Sequence, residues 1–460
     1  MLPHETLRVG KLATNVIVSS TVVVGYVAGG AMVLSAVAYA MLSQKNKGAI
    51  NRTFRALAEY YSALYYFWVQ GGTFRDCPHF PGSLHSRCHV YSLSIIFSLW
   101  SKPHYRNGTF QDDMVKNLRD VALPGTGIPL STFAHSKILT FLFIVAVYPA
   151  CALVAALNAG KLQGVRKTAD SFVEQLVAPQ DWFSFWRLNC RIATLHAGVT
   201  GNKDYRLEDK WEFLLEAERK NVAVTPYMKM SGIVCKHRNE EGGLGFESFK
   251  NASVGGDWII QRKLDNGPFL KSMLPKNAPL STFRIISASR GGLRGLPGKL
   301  KNKPIMIDDI QALSCVWRAG RTNAKTDHSA ILFNVHPKTG EIKRGTTNVH
   351  WYQRGFSKVF TTPWVSEHNY THHPDNNTKI TGNVIPNMKE MMDFVRDAHL
   401  RLIPHVPLCG WDVAFTENDG MLLLEGNFSC NFFRGDFDQD AYFEFIRDYF
   451  VALELKQEEN

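Results

Sequence analysis

The chain has 460 residues, of which 45% are hydrophobic and 12% aromatic. This composition excludes a disordered protein, because the chain can bury a sizeable core and has room for two or three structural units. The net charge of +11 at pH 7 favours anionic partners, such as phosphates or acidic lipid head groups. We expect no nucleic-acid partner, because the basic residues are spread along the chain without a recognisable nucleic-acid-binding motif.

The eight cysteines contain no C-x-x-C pair and no metal-ligand spacing, so we expect most of them to be reduced and buried. Cys77 and Cys88 are the pair to consider for a disulfide. They are close enough in sequence to form one if their loop faces an oxidising compartment.

Two uncharged apolar stretches in the first third of the chain are long enough to cross a bilayer. We interpret the first, residues 16–42, as a transmembrane helix rather than a signal peptide, because it is long for the apolar region of a signal and Glu5 precedes it. The second, residues 138–157, contains Pro149, which packed membrane helices tolerate. A buried helix of a soluble core is the alternative interpretation of the second stretch.

These predictions define an N-terminal membrane region over residues 1–164. Two crossings would return the chain to its starting side, so the aromatic loop over residues 43–137 would lie across the membrane from everything after residue 157. The flanking charges leave the orientation open, since basic residues occur on both sides. The apolar runs of the loop would lie in the membrane interface or pack against a partner subunit.

After about residue 165 the pattern changes to alternating helix and strand signals. The predicted elements are a helix over residues 209–220, a strand ending at Lys236, strands over residues 257–264 and 281–289, and a helix over residues 387–403. The 281–289 strand carries Arg284 among apolar neighbours. A buried arginine requires either a carboxylate within the sheet or an anionic ligand.

The strand that ends at Lys236 is followed by a loop with three closely spaced glycines, Gly242, Gly243 and Gly245. Backbone N–H groups exposed by such glycines can wrap a phosphate, and a lysine on the adjoining strand supplies the counter-charge. The alternative is an ordinary surface hairpin with a solvated lysine.

The stretch over residues 410–427, "GWDVAFTENDGMLLLEGN", predicts an antiparallel hairpin because "ENDG" is a strong turn signal between two apolar segments. Pairing that is symmetric about the turn places Asp412 opposite Glu425, with Asn427 on the same face. An all-oxygen set of this kind suits a hard cation such as Mg²⁺. The alternative is an exposed hairpin end with solvated acids.

The order of these motifs resembles the ATP-grasp superfamily, and more closely its sugar-transfer-associated branch, which is related to alpha-L-glutamate ligase-like proteins. The matching segments span residues 200–435: "LEDKWEFL", "VCKHRNEEGGLGF", "WIIQRKL", "LSTFRIIS", "HHPD" and the hairpin. The resemblance implies an α+β fold in which two subdomains grip ATP over residues 206–440. A linking segment over residues 165–205 would precede this domain, and a C-terminal helix over residues 441–460 would follow it.

The resemblance also implies roles for individual residues. The nucleotide would be bound by Lys210, Lys236, Gly242, Gly243, Gly245, Gln261, Arg262, Lys263 and Leu264, with the lysines on the phosphates and residues 261–264 at the adenine. Asp412, Glu425 and Asn427 would hold one or two Mg²⁺ ions. Lys236 and Arg284 would act in the reaction, and Arg284 is the first candidate to hold the acceptor or the acyl phosphate, ahead of Arg318 and His373.

By this resemblance we expect a membrane-anchored ligase that uses ATP and Mg²⁺ to join a carboxylate to an amine-type nucleophile through an acyl phosphate, on an ATP-containing side of its membrane. Two segments depart from the family pattern, because "FSCNFF" over residues 428–433 lacks a Pro-Gly-like turn and "DHSAILFN" over residues 327–334 lacks a glycine pair. The alternative is therefore an accessory or scaffold subunit of a membrane complex, with a nucleotide-binding or inactive domain.

Overall fold

A computed structural model describes residues 43–160, 164–239, 246–298, 303–352, 369–418 and 420–459. The first part of this structure is all helical. Helix α1 begins after Ser43, whose side chain accepts a hydrogen bond from the Asn46 N–H and caps the helix. The helices are α1 Gln44–Trp68, α2 Leu84–Ser94, α3 Ile96–Leu99, α4 Phe110–Leu118, α5 Ser131–Ala134, α6 Lys137–Leu142, α7 Tyr148–Gly160, α8 Gly164–Val177 and α9 Trp182–Thr200.

The second predicted membrane stretch is a continuous helix formed by α6, the π-helical turn Phe143–Val147 and α7. Its span Lys137–Asn158 is long and apolar enough to cross a membrane, with a mean hydropathy of 2.5, although 33% of its apolar window is buried within the protein. It is the single helix of this kind in the described part of the chain. The helix predicted over residues 16–42 lies outside the described residues, so a pair of transmembrane helices is not confirmed.

Pro149 accounts for the π-helical turn. Proline has no N–H, so it cannot donate to the carbonyl of Val145 in the α pattern or to that of Ile144 in the π pattern. The Tyr61 hydroxyl donates to the Val145 carbonyl, and the Tyr60 hydroxyl donates to the Ile144 carbonyl, each at 2.8 Å. Two tyrosines of α1 therefore replace the donor that proline lacks and hold the apolar helix against α1.

The rest of the chain is mixed. Its elements are α10 Lys210–Arg219, β1 Gly232–Lys236, β2 Phe246–Lys250, α11 Pro268–Met273, β3 Thr282–Ser289, β4 Ile310–Ala319, β5 Ile331–Val335, β6 Ile342–Thr346, α12 Val349–Tyr352, α13 Met388–Leu402, β7 Leu408–Phe415, β8 Met421–Asn427 and α14 Gln439–Glu459. Most predicted elements are confirmed, but the strand over residues 257–264 is wrong. That segment forms isolated bridges instead of a continuous ladder, from Trp258 to Asn251 and from Gln261 to Tyr227.

The main sheet has six antiparallel strands in the order β6-β5-β4-β3-β7-β8, and β1 pairs with β2 in a separate two-stranded sheet. The central strand β3 is buried along its whole length, because both faces of the sheet are covered. Phe283 and Ile285 belong to a core that includes residues of α13. Ile286 and Ala288, on the other face, belong to a second core that includes the N-terminal helices and α14.

The N-terminal helices and α14 form one core, and a buried carboxylate joins them. Glu454 of α14 accepts hydrogen bonds from the Phe74 N–H at 2.6 Å and from the Tyr91 hydroxyl at 2.7 Å. Residues 43–137 and the C-terminal helix therefore lie on the same side of any membrane, and the prediction that they lie on opposite sides is wrong. Cys77 and Cys88 are both free thiols.

We predict that Glu454→Ala lowers the free energy of unfolding by about 2–3 kcal/mol, because it leaves the Phe74 N–H and the Tyr91 hydroxyl buried without an acceptor. Urea denaturation followed by circular dichroism measures this change. Glu458→Ala, one helical turn further along the same helix and half exposed, is the control and should unfold like the native protein. Equal stability of the two variants would show that Glu454 does not join the two regions.

Candidate functional site

The late hairpin has the predicted geometry. Strand β7 pairs with β8 so that Asp412 lies opposite Glu425 and Gly410 opposite Asn427. The Asn427 side-chain amide donates to Glu425 Oε1 at 3.3 Å, so the amide and the carboxylate are adjacent on one face. The predicted pairing of Asp412 with Glu425 is confirmed, but the hairpin is not symmetric about its turn, because a bulge between Asp412 and Val413 shifts the register by one residue.

Asp412 is buried between two arginines. Arg284 lies opposite Asp412 on β3, and its Nε and Nη2 donate to the two carboxylate oxygens at 2.5 and 3.1 Å. Arg318 of β4 adds a third contact, from Nη1 to Oδ2 at 3.3 Å. Burial alone would raise the pKa of Asp412, but the two guanidinium groups outweigh it and leave this pKa below its ordinary value. The carboxylate in the sheet is therefore the partner of Arg284.

Phe433 covers this charged cluster. Its ring centroid lies 5.1 Å from the Arg284 guanidinium carbon and 5.6 Å from that of Arg318. Phe433 and Arg434 both have left-handed backbone, with φ of 43° and 65°, which is strained for residues other than glycine. The segment that departs from the family pattern thus turns sharply and places an aromatic face over two cations.

The Lys210 side chain, at the start of helix α10, contacts Glu425 of the hairpin. Asp209 caps α10, since its side chain accepts from the N–H groups of Trp211 and Glu212, and this cap fixes Lys210 as the first helical residue. The Lys210 ammonium lies 2.7 Å from Glu425 Oε2. Burial alone would lower the pKa of Lys210, but the Glu425 carboxylate outweighs it and leaves this pKa above its ordinary value.

An open cleft of about 1280 Å³ lies beside Lys210, Glu425 and Asn427. A second wall of the cleft comes from the N-terminal helical region and includes Arg106 and Lys116. These two basic residues were not predicted, because they are about 100 residues from the nearest motif and nothing in their local sequence sets them apart. Together with Lys210 and Arg206 they give the cleft four basic residues, but its lining also includes six acidic residues, so its charge suits a polyphosphate that arrives with a divalent cation.

Glu208 links the two walls of the cleft. Its carboxylate pairs with the Arg106 guanidinium and also accepts a hydrogen bond from the Phe428 N–H at 2.9 Å, next to the end of β8. Arg106 in turn contacts Asp113 at 3.3 Å. The ends of α10 and β8 are therefore tied to the helical region, and the cleft has a defined width at this point.

Several predicted nucleotide residues lie elsewhere. Among the described residues, neither Lys236 nor the 261–264 segment lines the cleft; Lys236 is exposed at the end of β1, 5.8 Å from the Phe246 ring centroid. Gln261, Arg262 and Lys263 are exposed, and Leu264 is buried in a small apolar cluster. Gly242, Gly243 and Gly245 lie outside the described residues, so their phosphate-binding role stays a prediction.

His373 makes structural contacts, and its role as an acceptor-binding candidate stays a prediction. It is fully buried. Its Nε2 lies 3.1 Å from the Gly320 carbonyl, and its Nδ1 accepts from the Asp375 N–H at 3.2 Å. Burial lowers the pKa of His373, which keeps the ring neutral, and both ring nitrogens are already satisfied by backbone groups.

The three predicted metal ligands differ in access. Both Asp412 oxygens are occupied by arginine donors, whereas Glu425 and Asn427 line the cleft with one carboxylate and one amide oxygen. In the described part of the chain, no three His, Cys, Asp or Glu side chains are grouped closely enough to hold a metal. Glu425 and Asn427 fit a Mg²⁺ ion that arrives with other oxygen donors, and a ligand role for Asp412 stays a prediction.

Residues 320–433 match the family model described as sugar-transfer associated ATP-grasp. The matched segment contains β5 to β8, and with them Asp412, Glu425 and Asn427. This finding confirms the resemblance to the ATP-grasp superfamily. No curated protein matches the chain.

We predict that Asp412→Asn lowers the free energy of unfolding by about 3 kcal/mol at neutral pH, because it leaves two buried arginines without their counter-charge. Because the pKa of Asp412 in the folded protein lies below its ordinary value of 3.8, the difference between the native protein and the variant should be constant above that pH. It should then disappear as the pH falls through the folded-state pKa.

Urea denaturation of both proteins at a series of pH values measures this difference. Lys271→Met is the control, because it removes an exposed ion pair with Glu417 at the turn of the same hairpin. A pH-independent difference for Asp412→Asn would contradict the ionised state assigned to Asp412.

Proposed function

From the match of residues 320–433 to an ATP-grasp family model, we propose that this protein is a membrane-associated ligase that uses ATP and Mg²⁺ to activate a carboxylate as an acyl phosphate. The observation that carries the proposal is the position of Lys210, Glu425 and Asn427 at one open cleft. The second substrate would be an amine-type nucleophile.

The charges around Glu425 support binding of nucleotide and metal together. Lys210, Arg284 and Arg318 balance the carboxylates of Asp412, Glu425 and Asp327, so the described cluster has no net charge. A divalent cation alone would approach the Lys210 ammonium and be repelled. A triphosphate that carries the cation gives Lys210 a new anionic partner, and this frees Glu425 and Asn427 to face the metal.

The chain's own residues would supply most of the remaining functions. Bound Mg²⁺ would neutralise charge on the β- and γ-phosphate oxygens. Lys210, Arg106 and Lys116 would hold the phosphates from two walls of the cleft. The acceptor carboxylate would attack the γ-phosphorus and ADP would leave; the amine would then attack the acyl carbon and release phosphate.

Arg284 and Arg318 remain the proposed binding groups for the acyl phosphate. Their guanidinium groups lie beneath the Phe433 ring, so that ring would have to move before an anion reached them. The strained backbone at Phe433 is consistent with a segment that has a second conformation. If the ring never moves, the two arginines serve only Asp412 and Asp327, and the scaffold alternative gains support.

We also propose that the helix formed by α6 and α7 contacts a lipid bilayer on the side where the cleft is supplied with ATP. One row of its side chains is exposed and apolar at helical spacing: Leu142, Ala146, Ala150, Leu153 and Leu157. The opposite face packs against α1 and α8. A half-buried helix of this kind suits the membrane surface better than a full crossing.

We predict that Glu425→Gln weakens the Mg²⁺-dependent binding of a non-hydrolysable ATP analogue at least about tenfold, because it removes the cleft carboxylate that contacts the Lys210 ammonium and lies next to Asn427. Calorimetric titration of the full chain in mild detergent, with and without Mg²⁺, measures the affinity. Glu417→Gln, an exposed carboxylate at the turn of the same hairpin, is the matched control and should bind like the native protein.

Turnover has a separate readout. Hydroxylamine traps an acyl phosphate as a hydroxamate, so incubation with ATP and a pool of carboxylic acids should give hydroxamate with the native protein and none with Glu425→Gln. Absence of nucleotide binding by the native protein would leave only the scaffold function. Binding without hydroxamate, across acids of every class, would leave a nucleotide-binding subunit.

The membrane contact is tested by a matched pair of exposed apolar residues, Leu153 on α7 and Val384 before α13, which are 45% and 53% exposed. In a Cys235→Ser background, which removes the exposed native thiol, Leu153→Cys should react with a water-soluble maleimide at least about tenfold more slowly than Val384→Cys after reconstitution into liposomes. The two rates should agree in urea. Equal rates in liposomes would show that the row faces water.

A further inference from the structure

Two buried arginines of the helical region lack a carboxylate partner. Arg187 and Arg191 lie one turn apart on α9 and are 7% and 4% exposed. Neither has a carboxylate oxygen within 4.0 Å in the described part of the chain. The buried arginines of the sheet region differ, because Arg284 pairs with Asp412 and Arg294 pairs with Asp309.

The contacts of these two arginines are neutral. Arg187 Nη2 lies 2.7 Å from His89 Nδ1, and burial lowers the pKa of His89 and keeps its ring uncharged. Arg191 contacts the Met114 sulfur at 3.7 Å and lies 4.5 Å from the Phe110 ring centroid. The Nε atom of each arginine is buried without a hydrogen-bond partner. A buried cation in this state is costly and is retained where a ligand supplies the counter-charge.

The nearest acids have other partners. Asp181 acts on Arg187 only at longer range, and it caps α9 by accepting from the Ser184 N–H and hydroxyl. Asp113 acts on Arg191 at longer range, and it contacts the Arg106 guanidinium at 3.3 Å. Neither carboxylate therefore neutralises the two buried arginines by direct contact.

Both arginines line a cavity of about 70 Å³ whose other walls are mainly apolar. The walls come from the helical region and from the π-helical turn, and include Leu93, Ile96, Leu130, Phe133, Phe143 and Ile144. The volume exceeds that needed for a single water and suits a small anionic group with the first carbons of a chain. Helix α6 contributes Thr140 to the cavity lining, and its side chains Ile138 and Leu142 are apolar and exposed.

We propose that this cavity binds the anionic head group of an amphiphile, a carboxylate or a phosphate held by Arg187 and Arg191, with its hydrocarbon chain passing along the apolar surface of α6. Guanidinium groups bind both anions in a planar, two-point geometry, which accounts for arginine at both positions. A free inorganic anion would leave the apolar walls unused. Asp113 lines both this cavity and the nucleotide cleft, so the bound amphiphile would lie next to that cleft.

The proposal does not rest on ligase chemistry and is tested by binding alone. Full-length protein, delipidated in a neutral detergent, is titrated with oleate, dodecyl phosphate, dodecanol, acetate and inorganic phosphate, and its thermal unfolding midpoint is followed. Oleate and dodecyl phosphate should raise the midpoint saturably. Acetate and phosphate should bind at least about tenfold more weakly because they have no chain, and dodecanol should have no effect because it has no charge.

The expected result for Arg187→Met and for Arg191→Met is at least a tenfold loss of oleate and dodecyl phosphate affinity, with a ligand-free midpoint equal to or above that of the native protein. The reason is that each variant removes a buried charge that has no partner. Arg294→Met is the matched control. It removes a buried arginine that has its carboxylate, so it should lower the ligand-free midpoint and leave amphiphile binding unchanged.

A third cavity variant keeps both arginines, so that a loss of binding can be separated from a folding defect caused by replacing an arginine. Ala134→Leu adds volume at the cavity wall and should weaken binding of oleate at least tenfold. Unchanged amphiphile affinity in all three cavity variants would overturn the proposal, as would inorganic phosphate that binds as tightly as oleate. Absence of any binding to the native protein would also overturn it, and would leave the arginines as structural residues.

Discussion

The burial of Asp412 between Arg284 and Arg318 is the constraint on which the site depends. Asp412, Arg284 and Arg318 lie on three neighbouring strands, and Asp327, which pairs with Arg318, supplies the second negative charge that balances the two arginines where water screens them poorly. Replacing all of these charged residues with apolar ones would cost little stability. We therefore interpret the cluster as one that fixes the positions of the strands. It fixes β7 against β3 and β4, and the pairing of β7 with β8 then places Glu425 at the edge of the cleft.

The N-terminal helices also help to form the site, because they supply the second wall of the cleft. Arg106 reaches Glu208, which lies two residues before Lys210 and also holds the backbone N–H of Phe428. This contact crosses the domain boundary predicted near residue 165 but does not test it, so the boundary stays a prediction. The physical unit includes helices on both sides of that boundary, since α2 and α9 pack with α14 in one core.

The features predicted from the sequence are those that depend on residues close together in the chain. Turn residues and a two-residue period predict the hairpin, although the pairing of Asp412 with Glu425 also needs a bulge that the pattern does not show, and an Asp before a helical pattern places Lys210. Contacts between distant segments were beyond this reasoning. Composition cannot tell whether an apolar stretch faces lipid or a protein core, and it takes contacts such as the hydrogen bond from Phe74 to Glu454, 380 residues away, to show on which side residues 43–137 lie.

The apolar helix over Lys137–Asn158 brings three surfaces together. One row of its side chains is exposed, its π-helical turn forms a wall of the cavity at Arg187 and Arg191, and Asp113 separates that cavity from the nucleotide cleft. Membrane anchoring alone does not account for the buried arginines or for the two tyrosines that hydrogen-bond to the π-helical turn of this helix. The arrangement therefore agrees with the proposal that an anionic amphiphile binds beside the proposed nucleotide cleft.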